Sequence, residues 1–191
     1  AIIEANANVN VSYISLPAGT YTLNIDGSDE DASATGDLDI TSEMTILGAG
    51  RDETIIDGNQ DVVDDHVINV RTGASLTLND LTVTNGDKNG LYNQGGTLAL
   101  DNVVVSNHDD DGINNTRSGA TASLTVRNST IRNNGLGIRV TSGSGFSGAT
   151  IISSTIRNNS TYGIYISNSN STSQADVINS TISGNGSNAI R

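Results

Sequence analysis

The sequence contains no cysteine and no tryptophan, and its 191 residues include only one proline, one methionine and one phenylalanine. Without cysteine the chain has neither a disulfide framework nor a thiolate site. No window approaches the roughly 18 apolar residues of a membrane-spanning helix, so we expect no membrane span. Nine lysines and arginines face 21 acidic residues, and the resulting net charge of −12 argues against a general affinity for nucleic acid.

Apolar side chains are also scarce: hydrophobic residues make up 35% of the chain and aromatic residues 3%. This content is thin for a compact globule, but it suffices for a solenoid, in which each coil needs only a few inward aliphatic residues. The 21 glycines and the abundant Asn, Ser and Thr are typical of many turns between short strands. The composition therefore favours short strands joined by frequent turns.

What the chain does contain is a repeat. Five stretches superpose so that aliphatic residues recur in three columns, at intervals of roughly 25 residues. The columns are Val83, Val105, Ile131, Ile156 and Ile182; Leu78, Leu100, Val126, Ile151 and Val177; and Leu91, Ile113, Ile138, Ile164 and Ile190. Periods of this length indicate a solenoid whose units bury their apolar faces by stacking.

The N-terminal part is less regular. The opening AIIEANANV predicts the last turns of a short helix, and short strands are predicted at 38–40, 44–47, 54–56 and 66–70. We therefore predict a single all-β domain over residues 1–191. Residues 1–74 form an irregular cap and the first coils, and residues 75–191 form the regular coils.

The strand period of two fixes which side chains point outward once the inward columns are known. On the third strand of each coil the outward residues are Tyr92, Asn114, Arg139, Tyr165 and Arg191. An asparagine also recurs at one corner, where it tolerates left-handed backbone angles and can bond its stacked neighbour. These asparagines are Asn85, Asn107, Asn133 and Asn158.

Charge is spread unevenly along the chain. Residues 1–111 hold 20 of the 21 acids and three basic residues, a net charge of −17, whereas residues 112–191 hold one acid and six arginines, a net charge of +5. Because sequence order becomes axial position in a solenoid, we expect a rod that is acidic toward its start and basic toward its finish.

Several short runs occur in a specific order in the N-terminal part of the chain. They are AIIEANA (1–7), ISLPAGTYTL (14–23), ED (30–31), GDLDI (36–40), TILGAG (45–50) and TIIDG (54–58). This ordered set resembles the CSLREA-type module of many secreted β-helix proteins, although the Cys-Ser-Leu-Arg-Glu run itself is absent. The remainder resembles the right-handed parallel β-helix of the pectate-lyase-like superfamily.

The resemblance implies a single-stranded right-handed parallel β-helix with a short N-terminal capping helix. It also implies export and an extracellular or cell-surface location. It does not imply any particular reaction.

The densest cluster of titratable groups is the run from His108 to Asp111. Oxygen ligands from Asp109, Asp110 and Asp111 could hold Ca²⁺ at this corner, and paired carboxylates could also act on a glycosidic bond. We assign no catalytic residue and expect no required cofactor, with Ca²⁺ as the candidate metal. Two further acidic patches, 29–31 and 61–66, are interpreted as solvated loops.

Three functional hypotheses follow. The first is an extracellular structural or adhesive protein that assembles head to tail into a filament, or forms part of a larger surface protein, because the two ends carry opposite charge. The second is glycan or cell-surface binding by Tyr92, Arg139 and Tyr165, beside a ridge of loops at 114–120, 141–148 and 167–174. The third is polysaccharide cleavage at Asp109–Asp111.

Overall fold

The computed structural model describes residues 1–8, 10–28, 31–117, 121–169 and 171–191. Within these ranges one short helix, α1 (Ile2–Asn6), precedes strands that build three parallel sheets. Among the described residues, no helix has the length and apolar character that crossing a bilayer requires.

Each sheet takes one strand from successive coils. In spatial order the first sheet contains β1 (Ser12–Ser15), β4 (Glu43–Leu47), β7 (Ser75–Asn79), β10 (Thr97–Asp101), β13 (Ala122–Arg127), β16 (Phe146–Ile152) and β19 (Thr172–Ile178). The second contains β2 (Gly19–Thr22), β5 (Thr54–Asp57), β8 (Thr82–Thr84), β11 (Val104–Ser106), β14 (Thr130–Arg132), β17 (Thr155–Arg157) and β20 (Thr181–Ser183). The third contains β3 (Leu38–Ile40), β6 (Ile68–Val70), β9 (Leu91–Gln94), β12 (Asp111–Arg117), β15 (Leu136–Ser142) and β18 (Ile164–Asn168).

The predicted parallel β-solenoid is confirmed by this strand order. The predicted helix is present, and its last residue, Asn6, bonds the carbonyl of Asp39 at 2.7 Å and the N–H of Thr41 at 2.9 Å. The helix is thereby held against the first strand of the third sheet. The irregular N-terminal strands pair in register with the regular coils, Glu43 with Ser75 for example, so they continue the same three sheets.

The core consists of the predicted aliphatic columns. Val105 pairs with Val83 on one side and Ile131 on the other, and all three side chains are fully buried. Burying one such side chain contributes about 1.5–3 kcal/mol, which is how a chain with few apolar residues forms a stable rod. Because sequence order is axial order, the acidic and basic parts of the chain lie toward opposite ends.

The predicted asparagine corner has the expected backbone. Asn85, Asn107, Asn133 and Asn158 all have φ between +55° and +60°. The corner between the first and second strands of each coil is also left-handed, at Asp80, Asn102, Asn128, Ser153 and Asn179.

A hydrogen-bonded ladder runs one residue beyond the first corner. The backbone N–H of Gly86 donates to His108 Nδ1 at 2.9 Å, that of His108 to Asn134 Oδ1 at 3.1 Å, and that of Asn134 to Asn159 Oδ1 at 3.0 Å. Asn159 in turn donates to Asn185 Oδ1 at 3.0 Å. His108 is thus a buried rung that takes the place of an asparagine, and burial lowers its pKa to about 4.

The predicted ridge of loops is largely strand, which corrects that interpretation. Strand β12 extends to Arg117, β15 to Ser142, and β16 and β19 begin at Phe146 and Thr172. These polar segments pair with the neighbouring coil, so the ladder satisfies their backbone groups. Residues 118–120 and Asn170, which belong to the predicted ridge, lie outside the described residues.

Candidate functional site

One column of side chains follows the outer face of the third sheet. Asn69 pairs with Tyr92, Tyr92 with Asn114, Asn114 with Arg139, and Arg139 with Tyr165. We call these five residues the outer column. The three predicted binding residues Tyr92, Arg139 and Tyr165 therefore share one face. With a strand spacing of about 4.8 Å, Tyr92 and Tyr165 are roughly 14 Å apart along the axis.

The C-terminal half of this face carries stacked rings and guanidinium groups. Arg139 lies over the ring of Tyr165 at 5.3 Å from its centroid, and Arg191 lies over Tyr162 and Tyr165 at 5.2 and 5.7 Å. The centroids of the two tyrosine rings are 5.7 Å apart. Cation–π contacts of this kind hold the rings in place, so the aromatic–arginine cluster (Arg139, Tyr162, Tyr165 and Arg191) is a pre-formed surface.

Arg139 also closes an ion pair with Asp111. Its Nε lies 2.5 Å from Oδ2 and its Nη2 lies 2.9 Å from Oδ1, so both carboxylate oxygens accept a hydrogen bond. Burial nevertheless raises the pKa of Asp111 above its usual value, because desolvation outweighs the opposing effect of Arg139.

This pairing gives one of the three aspartates that the sequence suggested as Ca²⁺ ligands a different partner. Asp111 is buried and bound to Arg139, whereas Asp109 and Asp110 are exposed. No three carboxylates or imidazoles in the described ranges come together as a metal-binding group. Asp109, Asp110 and Asp111 therefore do not form a shared ligand set, since the strand alternation directs Asp111 to a different partner.

A polar groove opens where the outer column meets the N-terminal coils. Its volume is about 360 Å³. The residues that line it, which we call the acidic groove, are Asp31, Asp37, Asp65, His66, Asn69, Arg71, Tyr92 and Gln94. Asn69 and Tyr92 belong to both the groove and the outer column, so the two features are continuous.

The carboxyl group of Asp37, which lines this groove, and that of the nearby Asp39 are both buried. Burial raises the pKa of Asp37 to about 8, and the negative charges of Asp39 and Asp65 act in the same direction. Arg71 opposes the shift, but its guanidinium is itself held by Asp31 at 2.6 and 2.9 Å. The carboxyl group of Asp37 therefore keeps its proton at neutral pH.

One wall of the groove is aromatic. The rings of His66 and Tyr92 have centroids 4.6 Å apart and are tilted by 53°. The backbone N–H of Asn89 donates to His66 Nδ1 at 3.2 Å, so Nε2 carries the proton of the neutral imidazole. The wall is thus fixed by both stacking and hydrogen bonding.

Most of this groove was not predicted from the sequence. The segments 61–66 and 29–31 were expected to be solvated loops, yet Asp65 is buried, His66 is half-buried and Asp31 pairs with Arg71. Asp29 and Glu30 lie outside the described residues. The alignment of the coils offered one indication of the groove. It places Asp39 and Asn69 in line with Tyr92, at the outer-column positions of the two preceding coils.

The family model for the right-handed β-helix region matches residues 66–191. The chain belongs to the right-handed β-helix family. The handedness predicted from the sequence is thereby confirmed.

Solved structures show the same fold over nearly the whole chain. ORF18 of Geobacillus virus E2 superposes with a TM-score of 0.70 at 13% identity over 95% of this chain and 38% of its own. Pectate lyase Pel9A has a TM-score of 0.63 at 20% identity over 96% of this chain and 48% of its own. The A-module of mannuronan C-5 epimerase AlgE4 from Azotobacter vinelandii has a TM-score of 0.50 at 18% identity, covering 100% and 67%.

These identities establish the architecture alone. This β-helix chain spans less than half the length of two of these three structures. No functionally curated protein matches the sequence.

Proposed function

We propose that this β-helix binds a polysaccharide lengthwise along the outer column of the third sheet, in an extracellular or cell-surface setting. The observation that carries the proposal is the unbroken register from Asn69 to Tyr165, which joins the acidic groove to the aromatic–arginine cluster on one face. Sugar rings present apolar C–H faces and polar edges, and this column alternates aromatic rings with amide and guanidinium donors.

The names of two structural neighbours favour a carbohydrate ligand over other polymers. One is a pectate lyase and the other a mannuronan C-5 epimerase, and this chain superposes on each over at least 96% of its length. Adhesion through a surface glycan and enzymatic processing of a glycan both require such a face. Binding is therefore the part of the function that the geometry of this chain supports.

The experiment is a glycan-array screen followed by calorimetric titration with the glycans that bind. Tyr165→Ala and Tyr92→Ala are expected to weaken binding about tenfold each, equivalent to about 1.4 kcal/mol. Thr130→Ala, on the outer face of the second sheet, is the matched control and should bind like the parent. The absence of any binding across the array, or an equal loss in the control, would contradict the proposal.

A second candidate function is head-to-tail self-association. It rests on the axial charge distribution, −17 over residues 1–111 and +5 over residues 112–191. Complementary ends attract most strongly at low ionic strength. Sedimentation velocity should therefore show association at low salt that disperses at high salt, and a monomer under both conditions would rule this candidate out.

A further inference from the structure

The acidic groove contains two hydrogen-bond acceptors that no part of the described chain satisfies. Asp37 Oδ1 and Asn69 Oδ1 are both buried without a hydrogen-bond partner among the described residues. The side chains are 4% and 6% exposed, and both line the groove. A buried polar atom without a partner is unfavourable, so a ligand that brings donors to these atoms would gain affinity from satisfying them.

The charge of the groove restricts which chemical groups of a ligand can bind there. Asp31, Asp37 and Asp65 line the groove, and the negative charges of Asp39 and Asp65 act on Asp37, which itself keeps its proton at neutral pH. Arg71 is the one lysine or arginine among the described lining residues, and Asp31 already pairs with it. An incoming carboxylate would thus meet like charge in a desolvated site, whereas hydroxyl and ammonium groups would not.

The shape of the groove favours a ring-shaped ligand. The rings of His66 and Tyr92, which pack against each other, line the groove together with the buried amide of Asn69 and the buried carboxyl of Asp37. Since Tyr92 is also part of the outer column, a polymer on that column has its next unit in the groove.

We infer that the acidic groove is a subsite for a sugar unit that carries hydroxyl or ammonium donors and no carboxylate. This inference rests on the proposed function and specifies which sugar units the acidic groove accepts. The donors of the sugar meet Asp37 and Asn69, and its apolar face packs on Tyr92. A uronic acid unit is excluded from this position, although the arginines of the aromatic–arginine cluster tolerate one there.

The test uses the whole chain and two substitutions that preserve side-chain size. Glycans from the array are grouped as neutral, amino-sugar and uronate polymers, and calorimetry ranks their affinities for the parent protein. Asp65→Asn removes a negative charge from the lining of the groove and is expected to relax the discrimination against uronate oligosaccharides about tenfold. Asn69→Asp keeps the acceptor oxygen and adds negative charge, so it should widen the difference in affinity between amino-sugar and uronate glycans about tenfold.

The matched control is Asp52→Asn, which makes the same charge change at an exposed position outside the groove and should leave the ranking unchanged. A preference for neutral or amino-sugar glycans that shifts in both groove variants supports the inference, and the preferred group distinguishes the two donor types. Preferred uronate binding, or a ranking insensitive to both groove variants, overturns the inference and leaves the proposed function intact. Failure to bind any glycan overturns both.

Discussion

The guanidinium of Arg139 and the carboxylate of Asp111 form a two-point ion pair between adjacent coils, with N–O distances of 2.5 and 2.9 Å. The sequence had suggested separate roles for these residues, one in glycan contact and one in metal binding. The pair instead anchors the arginine that lies over Tyr165. Its integrity is therefore a structural condition for the binding face.

The first prediction concerns this pair. Arg139→Ala leaves a buried carboxylate without its partner and should lower the free energy of unfolding by about 3 kcal/mol. Arg132→Ala, a partly buried arginine on the second sheet, should change it by less than about 0.5 kcal/mol. Urea unfolding of both variants, with Asp111→Asn and the double variant, gives the coupling energy. A coupling near zero would show that the pair contributes nothing.

The second prediction concerns His108. Its pKa falls from 6.5 to about 4 on folding, so the unfolded chain binds the proton more tightly between these values. The contribution of His108 to stability is therefore present above pH 6.5 and is lost as pH falls toward 4, a change of up to about 3 kcal/mol.

His108→Asn isolates this effect, because asparagine is the rung used in the next three coils. The stability of the variant should decline less than that of the parent between pH 6.5 and 4, as followed by thermal and urea unfolding. Parallel pH profiles for the two proteins would mean that His108 does not titrate as stated.

The third prediction concerns Asp37. Its pKa is raised from 3.8 to about 8 in the fold, so its contribution to stability is present below pH 3.8 and is lost as pH rises through 8. Asp37→Asn removes this titration. The difference in unfolding free energy between variant and parent should move in favour of the variant by about 1–3 kcal/mol from pH 5 to pH 9.

Because other groups titrate equally in both proteins, the difference isolates Asp37. Asp52→Asn provides the control, because it makes the same substitution at an exposed position outside the groove. A variant that loses stability relative to the parent as pH rises would contradict the assigned protonation.

The fourth prediction concerns the ladder. Asn159 accepts hydrogen bonds from the backbone and side chain of Asn134 and donates two to Asn185, with N–O distances of 2.9–3.0 Å. Asn159→Ala leaves buried donors unpaired and should cost about 2 kcal/mol. Asn188→Ala, at an exposed position, should be nearly neutral in the same urea titration. Equal losses of unfolding free energy in Asn159→Ala and Asn188→Ala would show that the ladder does not stabilise the fold.

Prediction from the sequence succeeded where the coils are regular. Val83, Val105 and Ile131 could be aligned because each step between them equals one winding of the backbone. The same alignment put Tyr92, Arg139 and Tyr165 on one outer face. Hydrophobic columns and strand alternation are patterns that can be recognised directly in the sequence.

The groove was missed because it depends on irregular coils. The step from Asp39 to Asn69 is longer than the step from Asn69 to Tyr92, and Asp31 precedes β3 in a segment that has no counterpart in the regular coils. The burial that raises the pKa of Asp37 is a tertiary effect with no sequence signature.

His108 was misread for a related reason. Its neighbours in sequence are acids, which suggested a titratable cluster at the surface. Its neighbours in space are Gly86 and Asn134, one coil away on either side. Only the alignment of whole coils, extended to the residue after each corner asparagine, would have placed it among the buried rungs.

The register of the third sheet fixes the axial distance between the acidic groove and the aromatic–arginine cluster. Each winding of the backbone moves the acidic groove and the aromatic–arginine cluster apart by one strand spacing of about 4.8 Å. Gain or loss of an entire coil through duplication would therefore change the span between the two while leaving the chemistry at either location untouched. If a polymer binds along the outer column, the length of polymer that fits would then change in steps of one coil.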